Sequence, residues 1–70
     1  GGSDGLDVYR RLIPQAAVRL LPGGYLFLEI GSEQGPAVRD LCTEDARLSA
    51  VDVFQDLSGL DRIVRAQRLA

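Results

Sequence analysis

The sequence predicts an α/β unit that lacks part of its sheet. Three observations carry that reading. First, Pro22-Gly23-Gly24-Tyr25-Leu26-Phe27-Leu28-Glu29-Ile30-Gly31 reads as turn, strand, turn, and its apolar run shows no clean alternation, which predicts burial on both faces in a helix-flanked sheet. Second, the hydrophobic period changes along the chain to give the order helix, strand, helix, strand, strand. The alternating start implies mostly parallel pairing and the last two strands form a hairpin, so the expected sheet is three-stranded and mixed, with a closing antiparallel edge. Third, the chain has 70 residues, fewer than a doubly covered strand normally has around it. A domain of this size buries only about 60% of the surface its unfolded chain exposes. Residues 1–70 are therefore expected to form a single, partial domain.

Each element has a local cause. Asp4 is a candidate N-cap for a helix starting at Gly5 or Leu6, with Asp7 near its positive end. Leu6, Tyr9, Ile13, Ala16 and Leu20 recur at spacings of three and four, and Leu12, Ala17 and Leu21 widen the stripe. Pro14 lies inside this pattern and predicts a kink or two short helices. The helix is expected to stop at Leu21, because Pro22 disfavours helical conformation before it and Gly23-Gly24 supply a turn. After the strand Tyr25 to Ile30, Pro36 suits the start of a helix running to Glu44, whose apolar stripe is Ala37, Val38, Leu41 and Cys42. Thr43 to Arg47 reads as helix end and loop. Leu48 to Phe54 reads as a strand with Val51 and Val53 on one face and Asp52 and Phe54 on the other. Arg62 to Leu69 reads as the last strand, and the connection between these two is too short for a crossover, so they pair antiparallel.

Composition excludes more than it suggests. The hydrophobic fraction of 46% is that of a folded chain, and the net charge of -2 carries no basic patch of the density nucleic acid requires. All eight basic residues are arginine, the mark of a GC-rich coding sequence. Cys42 is the single cysteine and histidine is absent, so an intrachain disulfide, a structural zinc site and the Ser/His/Asp and Cys/His triads are all excluded. Spacing places Cys42 in the core as a small apolar residue. No run approaches the roughly 20 apolar residues that span a bilayer. The chain is expected to be soluble and cytoplasmic. Gly1-Gly2-Ser3 alone would read as the remnant of a cloning linker.

Three places invite a chemical reading. Gly31-x-x-x-Gly35-Pro36 sits between strand and helix, where a phosphate loop would lie, but it lacks the Lys-Ser/Thr ending and the G-x-G-x-x-G spacing. Glu29 places a carboxylate at the end of the strand, where open α/β sheets bind ligands; its ordinary reading is a polar strand end that reaches solvent. Asp56, Asp61 and Arg62 bracket the hairpin loop and read as turn formers and local ion pairs.

Asp4-Gly5-Leu6-x-x-Tyr9-Arg10-Arg11, Leu28-Glu29-Ile30-Gly31-x-x-Gln34-Gly35 and Asp56-Leu57-x-Gly59-x-Asp61-Arg62 occur in this order. Together they resemble the C-terminal part of the HemK/PrmC family, the S-adenosylmethionine-dependent methyltransferases that modify a glutamine of peptide-chain release factors. The likeness covers essentially the whole chain and would make Gly1-Gly2-Ser3 native. It implies a class I, Rossmann-like methyltransferase fold in which Arg62 to Leu69 inserts between Tyr25 to Ile30 and Leu48 to Phe54. It also implies S-adenosylmethionine as cofactor and a release factor as partner for the parent enzyme. The family's cofactor loop, ribose-binding acid and substrate-holding Asn-Pro-Pro-Tyr motif precede this region and do not occur here. No catalytic, cofactor-binding or metal residue is therefore carried over, and the 70 residues alone are expected to bind no cofactor and to be inactive. Where the family usually has a glycine and an aromatic, this chain has Arg47-Leu48. In the parent, Glu29 and Gly31 to Gln34 would lie on the rim near the substrate. The alternative is a stand-alone α/β interaction module. In either case the open edge of Tyr25 to Ile30 is expected to pair two copies of the isolated chain.

Overall fold

The computed structural model describes residues 5–69. The elements run α1 (Asp7–Arg19), β1 (Tyr25–Glu29), a 3-10 turn (Ser32–Gln34), α2 (Gly35–Glu44), β2 (Leu48–Gln55) and β3 (Asp61–Arg68). Strand order is β1-β3-β2, so the last strand lies between the other two, in the arrangement the resemblance implies. Both pairings are antiparallel. This corrects the expected mixed sheet: β1 and β2 run the same way but never meet, because β3 separates them.

α1 begins later than expected. Gly5 has φ +71°, outside the helical region, and Leu6 holds the cap position without a side-chain bond. The proposed cap at Asp4 lies outside the described residues. α1 runs through Pro14 as one helix, not two. Pro14 is exposed, where water can replace the donor it lacks. The helix stops at Arg19, two residues early, because Leu20 is already extended. In the Leu21-Pro22-Gly23-Gly24 turn the Gly24 N–H donates to the Leu21 carbonyl at 2.9 Å and Gly23 has φ +83°, which calls for glycine at that corner.

The core is formed by one face of the sheet and the two helices above it. Leu6, Ile13 and Ala17 from the α1 side meet Val38 and Cys42 of α2 and Leu28, Ile30, Leu48, Val64 and Ala66 of the sheet. The expected stripe of α1 is too wide, since Leu12 and Leu21 are exposed. Leu28 faces Val64 and Val64 faces Val53 across the strands, so these three make one inward row. The next row, Phe27–Arg65–Asp52, points the other way.

That outer row corrects the expectation that Tyr25 to Ile30 is covered on both faces. Tyr25 is 48% and Phe27 62% exposed, because both helices lie on the other side. The strand alternates in burial although its sequence does not. Arg65 covers part of the open face: its guanidinium lies 5.3 Å from the Tyr25 ring centre and 4.9 Å from that of Phe54, and pairs with Asp52 at 2.9 Å.

A bulge reconciles β2 with the core. Ser49 pairs with Gln67 and Asp52 with Arg65, so Ala50 and Val51 together oppose Ala66. Leu48 and Val51 are an odd number of positions apart yet both join the core, which regular alternation forbids. Ala50 accommodates the extra residue with φ +49°.

Candidate functional site

The ends of β1 and β2 and the start of β3 lie at one end of the sheet, since Glu29 pairs with Ile63 and Gln55 with Asp61. The loops gathered there hold all the residues singled out for chemistry except Cys42.

Glu29 behaves as the ordinary reading holds. Its side chain is exposed, and its backbone carbonyl accepts a hydrogen bond from the Tyr9 hydroxyl at 2.8 Å, tying α1 to the end of β1. Cys42 is fully buried in α2, and burial pushes its thiol up to about 11, so it stays neutral and unreactive.

The segment after β1 is closed upon itself. Gly31 donates its N–H to Oε1 of Gln34 at 2.8 Å, and the Gln34 N–H returns to the Gly31 carbonyl at 2.9 Å. This is the reciprocal bonding of a helix start with glutamine at its third position. It also argues against phosphate binding, because the Gly31 amide is already engaged. Asp61 argues further against it: its carboxylate lies against the α-carbon of Gly35, adding negative charge where an anion would have to sit. For the same reasons these residues do not fit the role of a cofactor cradle.

The hairpin loop is organised by one side chain. Asp56 Oδ1 accepts the N–H groups of Ser58 at 2.8 Å and Leu60 at 3.1 Å, while Oδ2 pairs with Nε of Arg62 at 2.8 Å. The Arg62 hydrogen bond and then the backbone donors hold the Asp56 carboxyl below its usual range. Asp61 accepts from Nε2 of Gln55 at 3.0 Å. The reading of Asp56, Asp61 and Arg62 as turn formers and local ion pairs therefore holds, with the Gly35 contact of Asp61 added.

Two arrangements escaped the sequence reading. At the α2–β2 turn, Asp45 accepts the N–H of Arg47 at 3.0 Å and its Nε and a terminal nitrogen at 2.9 and 2.8 Å, a fork that closes the loop where Arg47-Leu48 departs from the resemblance. This bonding to Arg47 lowers the Asp45 pKa. Between α1 and α2 lies an open groove of ≈ 290 Å³ lined by Tyr9, Ile13, Pro14, Leu41, Glu44 and Asp45 among others. The Asp-x-Arg spacing could have suggested the fork; no sequence signal marks the groove. Among the described residues there is no group of three or more potential metal ligands, and no helix long and apolar enough to cross a membrane.

Comparison with known proteins agrees with this geometry. No family model matches the chain. It is 52% identical over 68 residues to the release factor glutamine methyltransferase of Moorella thermoacetica, covering 97% of this chain and 24% of that protein. With the release factor glutamine methyltransferase of Bradyrhizobium diazoefficiens it shares 45% identity over 69 residues, 99% of this chain and 23% of the relative. The crystal structure of a release factor-specific protein-(glutamine-N5) methyltransferase from Alicyclobacillus acidocaldarius superposes with a TM-score of 0.74 at 30% identity, covering all of this chain and 44% of that one. The chain thus spans about a quarter of the length of the curated relatives it matches.

Proposed function

We propose that this chain, a homologue of the release factor glutamine methyltransferases along nearly all of its length, is the C-terminal part of such an enzyme. The whole protein would transfer a methyl group from S-adenosylmethionine to a glutamine side chain of a peptide-chain release factor, in the cytoplasm. Within it, residues 1–70 are a partial domain that carries the sheet edge and the rim beyond β1. Cofactor and catalytic groups would come from the rest of the enzyme, since the Gly31 and Gln34 N–H groups after β1 are engaged and Asp61 sets a carboxylate against Gly35.

The observation that carries this reading is the match itself, which spans nearly all of this chain in sequence and all of it in the structural superposition. The test has two arms. The full-length protein, given S-adenosylmethionine and a release factor, is expected to add the mass of one methyl group to the factor. The isolated chain, titrated calorimetrically with S-adenosylmethionine, is expected to show no binding. An unmodified factor would overturn the activity, and stoichiometric binding by the isolated chain would overturn the division of labour.

A second reading rests on the outer edge of β1. Among the described residues that edge has no strand beside it, and Tyr25-Leu26-Phe27-Leu28-Glu29 contains neither lysine nor proline to discourage pairing. In the enzyme the edge would be covered by the preceding part of the protein. Alone, the chain would pair through it into a homodimer and act as an interaction module. Sedimentation giving a monomer at every workable concentration would overturn this.

A further inference from the structure

We infer that the groove between α1 and α2 is a docking site for a polypeptide segment that carries a basic side chain beside an apolar one; the inference concerns this surface and does not depend on the methyltransferase reading.

Most of the groove's lining is apolar and offers a ligand no donor. Tyr9 and Ile13 lie four positions apart on one face of α1, next to Pro14, and Leu41 of α2 stands across from them. The Tyr9 hydroxyl already donates to the Glu29 carbonyl at 2.8 Å, and Pro14 has no N–H to give.

The charge beside this lining has the wrong sign for the helix that carries it. α2 ends in Glu44, followed by Asp45, and has no basic residue in its last turn, although a helix C-terminus favours cations. Asp45 is compensated by Arg47 at 2.8 Å. Glu44 is exposed and, among the described residues, forms no ion pair. It follows Leu41 by three positions, on the same face of α2, so its carboxylate and the apolar lining belong to one groove. Arg10, the cation that also lines the groove, is engaged by Asp7 at 2.8 Å. An uncompensated local charge of this kind is expected at functional sites, where another requirement overrides local stability.

The occupant follows from charge and shape together. An arginine or lysine lays its aliphatic stem on Tyr9, Pro14 and Leu41 and sets its cation against Glu44 and the carbonyl end of α2. The Tyr9 ring adds to the attraction, since an aromatic face favours a cation. A volume of ≈ 290 Å³ is at the lower limit of the roughly 300–1,000 Å³ of small-molecule sites, and the groove is open. It therefore suits one or two side chains of a polypeptide lying across the two helices and not a whole cofactor.

The test uses the full-length protein, methyl-labelled for NMR, and a Leu-Arg-Arg-Leu peptide with blocked ends, compared with the same peptide carrying citrulline in place of arginine. The basic peptide is expected to shift the Ile13 and Leu41 methyl resonances saturably and to bind about tenfold more tightly than its neutral twin. Glu44→Gln is expected to weaken the basic peptide about tenfold and at the same time to raise the melting temperature, because it removes the unfavourable charge from the end of α2. A purely structural Glu44 would lower the melting temperature when replaced, and that result would overturn the inference. Equal affinity for the two peptides, no saturable shift, or shifts confined to other parts of the protein would also overturn it. Free arginine amide binding as tightly as the peptide would make the groove a small-molecule site, and groove shifts that grow with protein concentration alone would seat a second copy there; either result replaces the proposed occupant and overturns the inference.

Discussion

Asp61 occupies the space that a side chain on Gly35 would need. A Cβ at Gly35 would stand 2.9 Å from the Asp61 Cγ and 3.1 Å from its Cβ, and nearer still to Oδ2. Gly35 has ordinary helical φ and ψ, -50° and -59°, so glycine is required here by close approach and not by backbone conformation. In an open helix Gly→Ala would gain up to about 1 kcal/mol. Here Gly35→Ala is expected to cost about 1–3 kcal/mol, as overpacking does. Adding Asp61→Ala should restore most of the loss, and a double-mutant cycle by urea unfolding would show the coupling; additive effects would mean the two residues do not press on each other.

Leu28 and Phe27 are neighbours with opposite fates. Leu28 is 5% exposed and Phe27 62%. In the isolated chain Leu28→Ala should cost about 2–5 kcal/mol. Phe27→Ala should cost under about 1 kcal/mol, as surface substitutions do. In the full-length protein the gap should narrow if the open face is covered there. Chemical denaturation of both variants in both settings measures this.

Ala50 holds a left-handed backbone conformation at the bulge. That conformation costs a residue with a Cβ roughly 1–2 kcal/mol, and glycine nothing sterically. Ala50→Gly is therefore expected to be neutral or stabilising by up to about 1 kcal/mol, net of the greater freedom glycine adds to the unfolded chain. Ala50→Val should destabilise, since a β-branched side chain fits φ > 0 worst. Thermal melts of the pair would show whether the bulge is held by its residue or imposed by the flanking strands.

Asp56 and Asp45 both have carboxyls held below their usual range by arginine partners and backbone donors. Their folded pKa values are depressed, so each contributes stability that is fully present above the unfolded carboxylate value of about 3.9 and is lost as pH falls through the folded value. Urea midpoints should be flat near neutrality and fall below about pH 4. Asp56→Asn, which removes the charge and keeps an acceptor, should make that acid-side fall shallower.

Cys42 gives the opposite sign. Its thiol is pushed up to about 11, so its contribution is present below the unfolded value of about 8.5 and is lost as pH rises toward the folded one. Iodoacetamide at pH 8 should leave the native chain unmodified and label it rapidly in urea; fast native labelling would mean that α2 opens readily.

The inward residues Ile13, Val38, Cys42 and Leu28 and the hairpin pairing were legible because each rests on local periodicity or loop length, whereas the strand order came from the family resemblance and not from the residues by themselves. The open face was not legible. Tyr25 and Phe27 carry the composition of a covered strand, and whether a cover exists depends on chain beyond the strand itself. Nor was the Gly35–Asp61 contact, which joins two elements far apart in sequence and leaves no periodic trace. Gln34 lay between. Its place three residues after Gly31 and just before a helix is a recognisable capping pattern, but the direction of its amide follows only from the Gly31 N–H.

The central position of β3 sets an order of events in synthesis. β1 and β2 share no hydrogen bonds, so each waits for the same eight residues, Asp61–Arg68, which the ribosome makes after both. The contact between Gln67 and Gly23 closes a span of 44 positions. Until that strand emerges, two aromatic-bearing segments have no ladder partner within this stretch, and the nascent chain is most open to wrong pairing at that stage. A stop codon after Gly59 would thus remove both ladders of this stretch at once and not merely shorten one of them.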